Sequence, residues 1–240
     1  MIIPCYNEER RLPAADFQEF LQTSDAVDLH FVNDGSSDRT LSVLNRLKEE
    51  GKGRVGLLDL GENCGKAEAV RRAVLEIATD ATYEFVGYFD ADLATPLEEI
   101  SLLLSYLKRK EQYEIAFGAR VCRMGASIIR HAHRHYLGRV FSTFASLLLK
   151  LPVYDTQCGA KIMKRELARQ IFADEFVSRW FFDVELFARI IKLYGMEKAK
   201  TVMIEVPLEA WEDKGGSKLK LRDCIVVPIE LWKIRARYKI

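Results

Sequence analysis

Apolar and polar positions follow two rhythms in the first half of the chain. Leu29–Asn33 (LHFVN), Val55–Leu60 and Phe85–Phe89 (FVGYF) are short, nearly unbroken apolar runs and read as buried strands. Ile2-Ile3-Pro4 is a similar run abutting Met1, which places the expected natural start upstream. Between these runs the period becomes helical. Leu41, Leu44 and Leu47 share one face of Leu41–Glu49, and Val70, Val74 and Ile77 share one face of Ala67–Ala78. Thr95-Pro96-Leu97-Glu98 predicts a helix start, with Thr95 as N-cap, Pro96 at the first helical position and Glu98 closing a capping box. Ile115–Gly118 is a further strand. Repeated strand–helix units predict an α/β fold, Rossmann-like, with a mostly parallel central sheet flanked by helices.

The second half is less regular. A long helix is expected over Ile128–Leu151, basic at its start and apolar at its end. A polar loop (Tyr154–Gly159), helices over Lys164–Phe172 and Asp183–Tyr194, and a strand over Val202–Val206 follow. A glycine-containing loop (Lys214–Lys218) leads to a closing helix over Pro228–Tyr238. No internal repeat or low-complexity segment is visible. The reading is one domain over 1–212, then a C-terminal loop and amphipathic helix over 213–240.

Composition narrows the partners. The 240 residues carry a net charge of +1, so no global field recruits nucleic acid. The five cysteines form no CxxC pair and are odd in number, which points to reduced thiols in a cytoplasmic protein. No signal peptide opens the chain. No apolar stretch approaches the ~20 residues of a membrane span. The expected state is soluble, or peripheral on the cytoplasmic face of a membrane. In the closing helix Ile225, Ile229, Trp232 and Ala236 form an apolar stripe beside Lys233, Arg235, Arg237 and Lys239. Such a stripe suits a bilayer surface; packing on the protein's own core or in a homodimer is the alternative.

Ligands of parallel sheets bind beyond the carboxyl ends of the strands, and polar motifs fall there. Asp90-Ala91-Asp92 follows an apolar strand. Two carboxylates so spaced can converge on one hard cation, Mg²⁺ or Mn²⁺, which would stabilise charge on a departing diphosphate. Solvated acids at a helix start are the plainer reading. Asp34-Gly35-Ser36-Ser37-Asp38 can place a carboxylate against the imide N–H of uracil, with Gly35 permitting close approach. It can equally be a turn with Ser37 or Asp38 as N-cap. In Pro4-Cys5-Tyr6-Asn7-Glu8, Tyr6 can pack on a base and Glu8 can take a ribose hydroxyl. Lys66 at a helix start can meet a base carbonyl or a phosphate, although the P-loop spacing is absent. His131 and His135 sit at i, i+4, but no third ligand is apparent. The run Arg130–His135, with Arg139, reads as a phosphate-gathering surface or a solvated basic face.

IIPCYNEE, VNDGSSDRT, NCGKAEAV and YFDADLATP, in this order, make the chain resemble the GT-A glycosyltransferases of family two. GAR (Gly118–Arg120), YDTQCGAK (Tyr154–Lys161), WFFDVEL (Trp180–Leu186) and GGSK (Gly215–Lys218) narrow the resemblance to polyprenyl-phosphate sugar synthases, especially dolichyl-phosphate glucosyltransferases. It covers nearly the whole chain. It implies a nucleotide-binding half over about 1–120 and an acceptor half over about 121–212. Pro4, Tyr6, Glu8, Asp34, Gly35, Ser36, Lys66 and Ala91 would surround the UDP, and Asp90 and Asp92 would hold diphosphate and metal. Arg120 and Arg134 would contact phosphates, while Asp155 and Gln157 would face sugar and acceptor. Related mannosyltransferases carry a metal-binding Gln where this chain has Ala94, and the family's membrane helices are missing.

The implied reaction moves a hexose, glucose by resemblance, from a UDP-sugar to a polyprenyl phosphate with inversion. A phosphate monoester has a second pKa of about 6, so it is largely dianionic at neutral pH and needs cations more than a base. Arg120, Arg134, Lys161 and Lys218 suit that need. Two alternatives remain. One is transfer to a saccharide hydroxyl in polysaccharide or glycoconjugate synthesis, with Asp183 or Asp155 as general base. The other is a non-catalytic sugar-nucleotide sensor.

Overall fold

The computed structural model describes residues 1–129, 132–179, 181–215 and 223–239, and of 132–137 and 223–227 the backbone alone. Strands β1 (Ile2–Cys5), β2 (Leu29–Asn33), β3 (Val55–Asp59), β4 (Phe85–Phe89) and β5 (Ile115–Ala119) join β7 (Ala160–Lys164) and β8 (Met203–Pro207) in one sheet. Its order is β3-β2-β1-β4-β7-β5-β8. All its pairings are parallel except those of β7, which runs antiparallel between β4 and β5. A separate parallel pair joins β6 (Ser127–Ile129) to β9 (Ala210–Glu212).

Strand side chains alternate between the two faces, so each strand feeds two cores. Ile2, Val32, Tyr88, Ile115, Phe117 and Met163 are buried under α3 (Lys66–Ile77), α6 (Arg165–Ile171) and α7 (Phe182–Tyr194). Ile3, Phe31, Phe89, Ala116 and Ile162 are buried under α1 (Ala14–Thr23), α2 (Thr40–Glu50) and α4 (Glu99–Leu107). Burial on both faces explains why the strands read as unbroken apolar runs. Helices α5 (Ala132–Leu149), α8 (Met196–Val202) and α9 (Asp223–Tyr238) complete the first layer. Helix α9 joins that core through Leu231 and Ile234. Its Tyr238 hydroxyl donates to Glu185, which also accepts the backbone N–H groups of Val177 and Ser178.

Several expectations are corrected. The long helix begins at Ala132, because β-branched Ile128 and Ile129 pair with Trp211 and Glu212. The Thr95 capping box does not form: α4 starts at Glu99 with no side-chain cap. The Glu99 carboxylate instead accepts the N–H groups of Glu209 and Ala210. Helix α9 begins at Asp223 and carries Pro228 inside it. Helix α1 and strand β7 were not foreseen. Cys5 and Cys158 are buried free thiols, and Cys64 and Cys122 are also free. Among the described residues no helix is long and apolar enough to cross a membrane.

Phe187 of α7 is fully buried, with its ring 4.8 Å from that of Phe117 on β5. Phe187→Ala should lower unfolding stability by about 3–5 kcal/mol in urea titration. A loss below about 1 kcal/mol would show that this contact does not fasten α7 to the sheet.

Candidate active site

The carboxyl ends of β1, β2, β4 and β5 and the amino end of antiparallel β7 share one edge of the sheet, and the motifs converge there. Asp90 follows β4, and its N–H donates to the Gly159 carbonyl at 3.1 Å. The Asp90 carboxylate accepts from the Lys66 ammonium at the start of α3. That ammonium lies 5.8 Å from the Tyr88 ring centre and 5.7 Å from that of Phe182. Desolvation opposes its charge, but the fields of Asp90, Asp183 and Asp92 outweigh it and raise its pKa. Asp92 is raised too, by burial and by repulsion from Asp90. Arg11 Nη2 stands 3.6 Å from Asp92 Oδ2, and the Ala94 N–H donates to Asp92 Oδ1 at 3.1 Å. Ala91, between the two acids, is buried. Leu93 is held at φ +48°, a region bulky side chains rarely adopt.

These residues fit a divalent ion. Each acid already faces a cation, so the place calls for positive charge. Among the described residues no third His, Cys, Asp or Glu joins them. Two carboxylates with phosphate oxygens and water make the donor set Mg²⁺ usually takes. Ala94 contributes only backbone groups.

The nucleotide side is built from interlocked loops. Asp34 is buried, and both its oxygens are occupied. Oδ1 accepts the N–H groups of Cys64 at 2.7 Å and Gly65 at 3.2 Å; Oδ2 accepts Gly65 N–H at 2.9 Å and Asn63 Nδ2 at 3.2 Å. A carboxylate offers about four lone-pair sites. Three donors, with the Gly65 N–H shared between both oxygens, latch the 62–65 loop onto the end of β2. Gly35 has φ +61°, and a Cβ there would lie 2.2 Å from the Glu62 carbonyl carbon. The close approach it permits is therefore that of the same loop. Ser36 Oγ accepts the Asn7 N–H, and the Ser37 N–H donates to Asn7 Oδ1, tying this turn to β1's exit. Asp38 accepts the Thr40 N–H at the start of α2, but the N-cap position is Arg39, not the expected Ser37 or Asp38. Pro4 pairs with Val32. Tyr6 is 37% exposed, enough to receive a base. Glu8 faces Arg11 at 3.6 Å.

On the acceptor side the expected roles are redistributed. Arg120 grips buried Asp155 with two bonds, Nε to Oδ2 at 2.6 Å and Nη2 to Oδ1 at 2.9 Å. Burial works against the carboxylate, but Arg120 holds its pKa down to about 2. The backbone N–H groups of Tyr154 and Asp155 both donate to Glu205, fixing the turn. Lys161, expected near a phosphate, is wholly buried beneath that turn. Its ammonium donates to the Thr156 and Cys158 carbonyls at 3.2 and 2.7 Å and to Asp183 Oδ1 at 2.6 Å. The Tyr88 hydroxyl donates to the same Asp183 oxygen. Gln157 Nε2 is buried without a hydrogen-bond partner. Arg139 stacks on Tyr154, 3.6 Å from its ring centre, and donates to its carbonyl. Arg130, His131, Trp180 and the loop through Lys218 lie outside the described residues, as do the side chains of Arg134, His135 and Ile225.

Sequence reasoning missed Arg11, Asn63, Gly159, Arg179 and Glu205. Arg179 donates to the Cys64 carbonyl and so lies over the nucleotide loop. Asn63 and Gly159 stood inside quoted motifs without a role; Arg11, Arg179 and Glu205 carry no motif and are recruited by folding.

The sequence model of Glycosyl transferase family 2 matches residues 1–172. A dolichyl-phosphate beta-glucosyltransferase of Drosophila melanogaster is 36% identical over 233 residues, covering 91% of this chain and 68% of its own. One from Dictyostelium discoideum is 30% identical over 254 residues, covering 99% and 74%. Glucosyl-3-phosphoglycerate synthase from Mycobacterium tuberculosis, crystallised with Mn²⁺, UDP and glucosyl-3-phosphoglycerate, superposes with a TM-score of 0.68. That match covers 100% of this chain and 79% of the other at 16% identity, a likeness of fold.

The latch yields a prediction. Asp34→Ala should weaken UDP binding about 10- to 100-fold in calorimetry, the worth of about 1.5–3 kcal/mol for hydrogen bonds to a charged group. It should change kcat little, because the loop is needed equally before and during reaction. Unchanged UDP affinity would show that the latch does not shape the nucleotide pocket.

Proposed function

This chain belongs to Glycosyl transferase family 2, and we propose that it transfers glucose from UDP-glucose to a polyprenyl phosphate of the dolichyl type, with Mg²⁺ or Mn²⁺, at a membrane surface. Tyr6 and the latched 62–65 loop receive the uridine. Lys66, Asp90 and Asp92 hold the diphosphate end. A metal bound by the two acids would neutralise charge on the UDP leaving group. The acceptor's phosphate oxygen attacks the anomeric carbon while the bond to the UDP oxygen breaks, and a single in-line displacement inverts that centre. We assign Gln157, whose buried amide donor has no hydrogen-bond partner, to the sugar or acceptor.

One observation carries the choice of acceptor. A hydroxyl acceptor needs a general base, and the two candidates are engaged by cations. Asp155 is clamped by Arg120, and Asp183 is buried against Lys161. A phosphate dianion needs no base. The relatives named above as dolichyl-phosphate beta-glucosyltransferases support the same acceptor and sugar.

Membrane contact is supported by exposed apolar side chains. On α9, Ile229 and Trp232 face outward beside Lys233, Arg235 and Arg237. On α5, Val140, Phe144 and Leu147 are exposed at helical spacing. Each cation near an anionic bilayer adds about 1 kcal/mol.

Full-length protein with UDP-glucose and Mn²⁺ should glucosylate a polyprenyl phosphate and sediment with anionic liposomes. Trp232→Ser combined with Phe144→Ser should abolish sedimentation and lower turnover on long-chain lipid phosphate, while UDP-glucose hydrolysis persists. Preferred transfer to a soluble sugar hydroxyl would replace this reading with the hydroxyl-acceptor enzyme. No turnover with any donor or acceptor would favour the sensor. Indifference to liposomes together with a dimer in solution would assign the stripe to a second copy.

A further inference from the structure

Gly159 lies directly across the strand pair from Asp90. Phe89 is in register with Ala160, and the next pair outward joins Asp90 N–H to Gly159 O. In antiparallel strands, side chains of opposed residues rise on the same face with Cβ atoms about 4.5–5.5 Å apart. Here the Asp90 side chain lies down across its neighbour instead. A Cβ built on Gly159 would stand 1.9 Å from Asp90 Oδ2, 2.3 Å from Cγ and 2.7 Å from Oδ1. Those are its three nearest atoms, so the space that glycine leaves empty is filled by the carboxylate.

The backbone does not explain the glycine. Gly159 is outside the positive-φ region, where glycine has its conformational advantage. Alanine is compatible with it and ordinarily stabilises such a position by restricting the unfolded chain. The obstruction is also of another kind than at Gly87, where a Cβ would meet the Lys161 carbonyl oxygen at 2.4 Å: the three atoms nearest a Cβ on Gly159 all belong to the Asp90 side chain.

We infer that Gly159 is a positioning residue for the metal and diphosphate site: its missing side chain fixes where the Asp90 carboxylate lies. The glycine of the 154–161 turn thereby sets the angle at which Asp90 meets Lys66 and an incoming cation. This rests on the reading of Asp90 and Asp92 as metal ligands.

The test measures Mn²⁺ binding, with and without UDP, by the electron paramagnetic resonance of free Mn²⁺, beside thermal unfolding. Gly159→Ala should keep or raise Tm yet weaken Mn²⁺ binding about 10- to 100-fold, the usual scale when a ligand's support is altered. Adding Gly159→Ala to Asp90→Ala should change nothing further, since the obstructed group is gone. Asp92→Asn serves as the reference. If it binds Mn²⁺ like the wild type, the metal reading itself fails. If it loses Mn²⁺ while Gly159→Ala binds normally, this inference alone is overturned. A fall in Tm that accompanies the lost affinity, or further loss in the double variant, also overturns it by assigning Gly159 to the fold.

Discussion

The ammonium of Lys161 is the interaction around which the site is assembled. It is fully buried, and its three protons go to three acceptors: the Thr156 carbonyl, the Cys158 carbonyl and the Asp183 carboxylate. Tyr88 of β4 donates to the same carboxylate, and burial and Asp183 raise its pKa well above the ordinary tyrosine value. Strand β4, strand β7, helix α7 and the 154–159 turn therefore meet at one buried ion pair. Removing one partner of such a pair typically costs about 3–5 kcal/mol, because the other is left uncompensated. The two loops to which we assign the chemistry, at Asp90 and at Gln157, both adjoin strands fixed by this pair.

Around that centre each acid faces a cation. Asp90 has Lys66, Asp92 has Arg11, Asp155 has Arg120, Asp183 has Lys161, and Glu185 has Arg189. The matches differ in depth. Those of Asp155, Asp183 and Glu185 are almost sealed from water and serve the fold. Those of Asp90 and Asp92 are partly exposed, so their charges are screened and exchangeable. On the proposed function, a nucleotide diphosphate entering this edge would take over Lys66 and Arg11 without disturbing the buried pairs beneath.

Much of the sheet was legible because its strands are buried on both faces and therefore unbroken in hydrophobicity. Strand β7 was not, since AKIMK sets a lysine where a core residue is expected; only the folded structure supplies Asp183 to neutralise it. Helix α1 had a readable signal in Phe17 and Phe20, both buried on one side. The 128–129 segment was absorbed into the following helix because its β9 partner lies about 80 residues further on. At the site, the Asp90 and Asp92 pair was readable as acids closing an apolar strand. Asp34 was noticed for the right reason, an acid after a strand. That it also holds its own chain, at residues 63–65, was not readable, because a distant backbone N–H leaves no mark in a sequence.

The strand order also governs how the protein is made. Strand β5 has only β7 and β8 as partners, and both are synthesised later. A ribosome that has released the first 150 residues has completed β1 to β4 and their helices, but has left β5 with neither edge paired and β4 open on one side. Pairings of such long sequence separation form slowly, and waiting edges are prone to wrong partners. The arrival of residues 159–164 pairs the open side of β4 and one edge of β5 in one insertion and sets Gly159 against Asp90, while the other edge of β5 waits for β8. The far half of the sheet is thus assembled late in the birth of the molecule, first around β7 and then at the β8 edge.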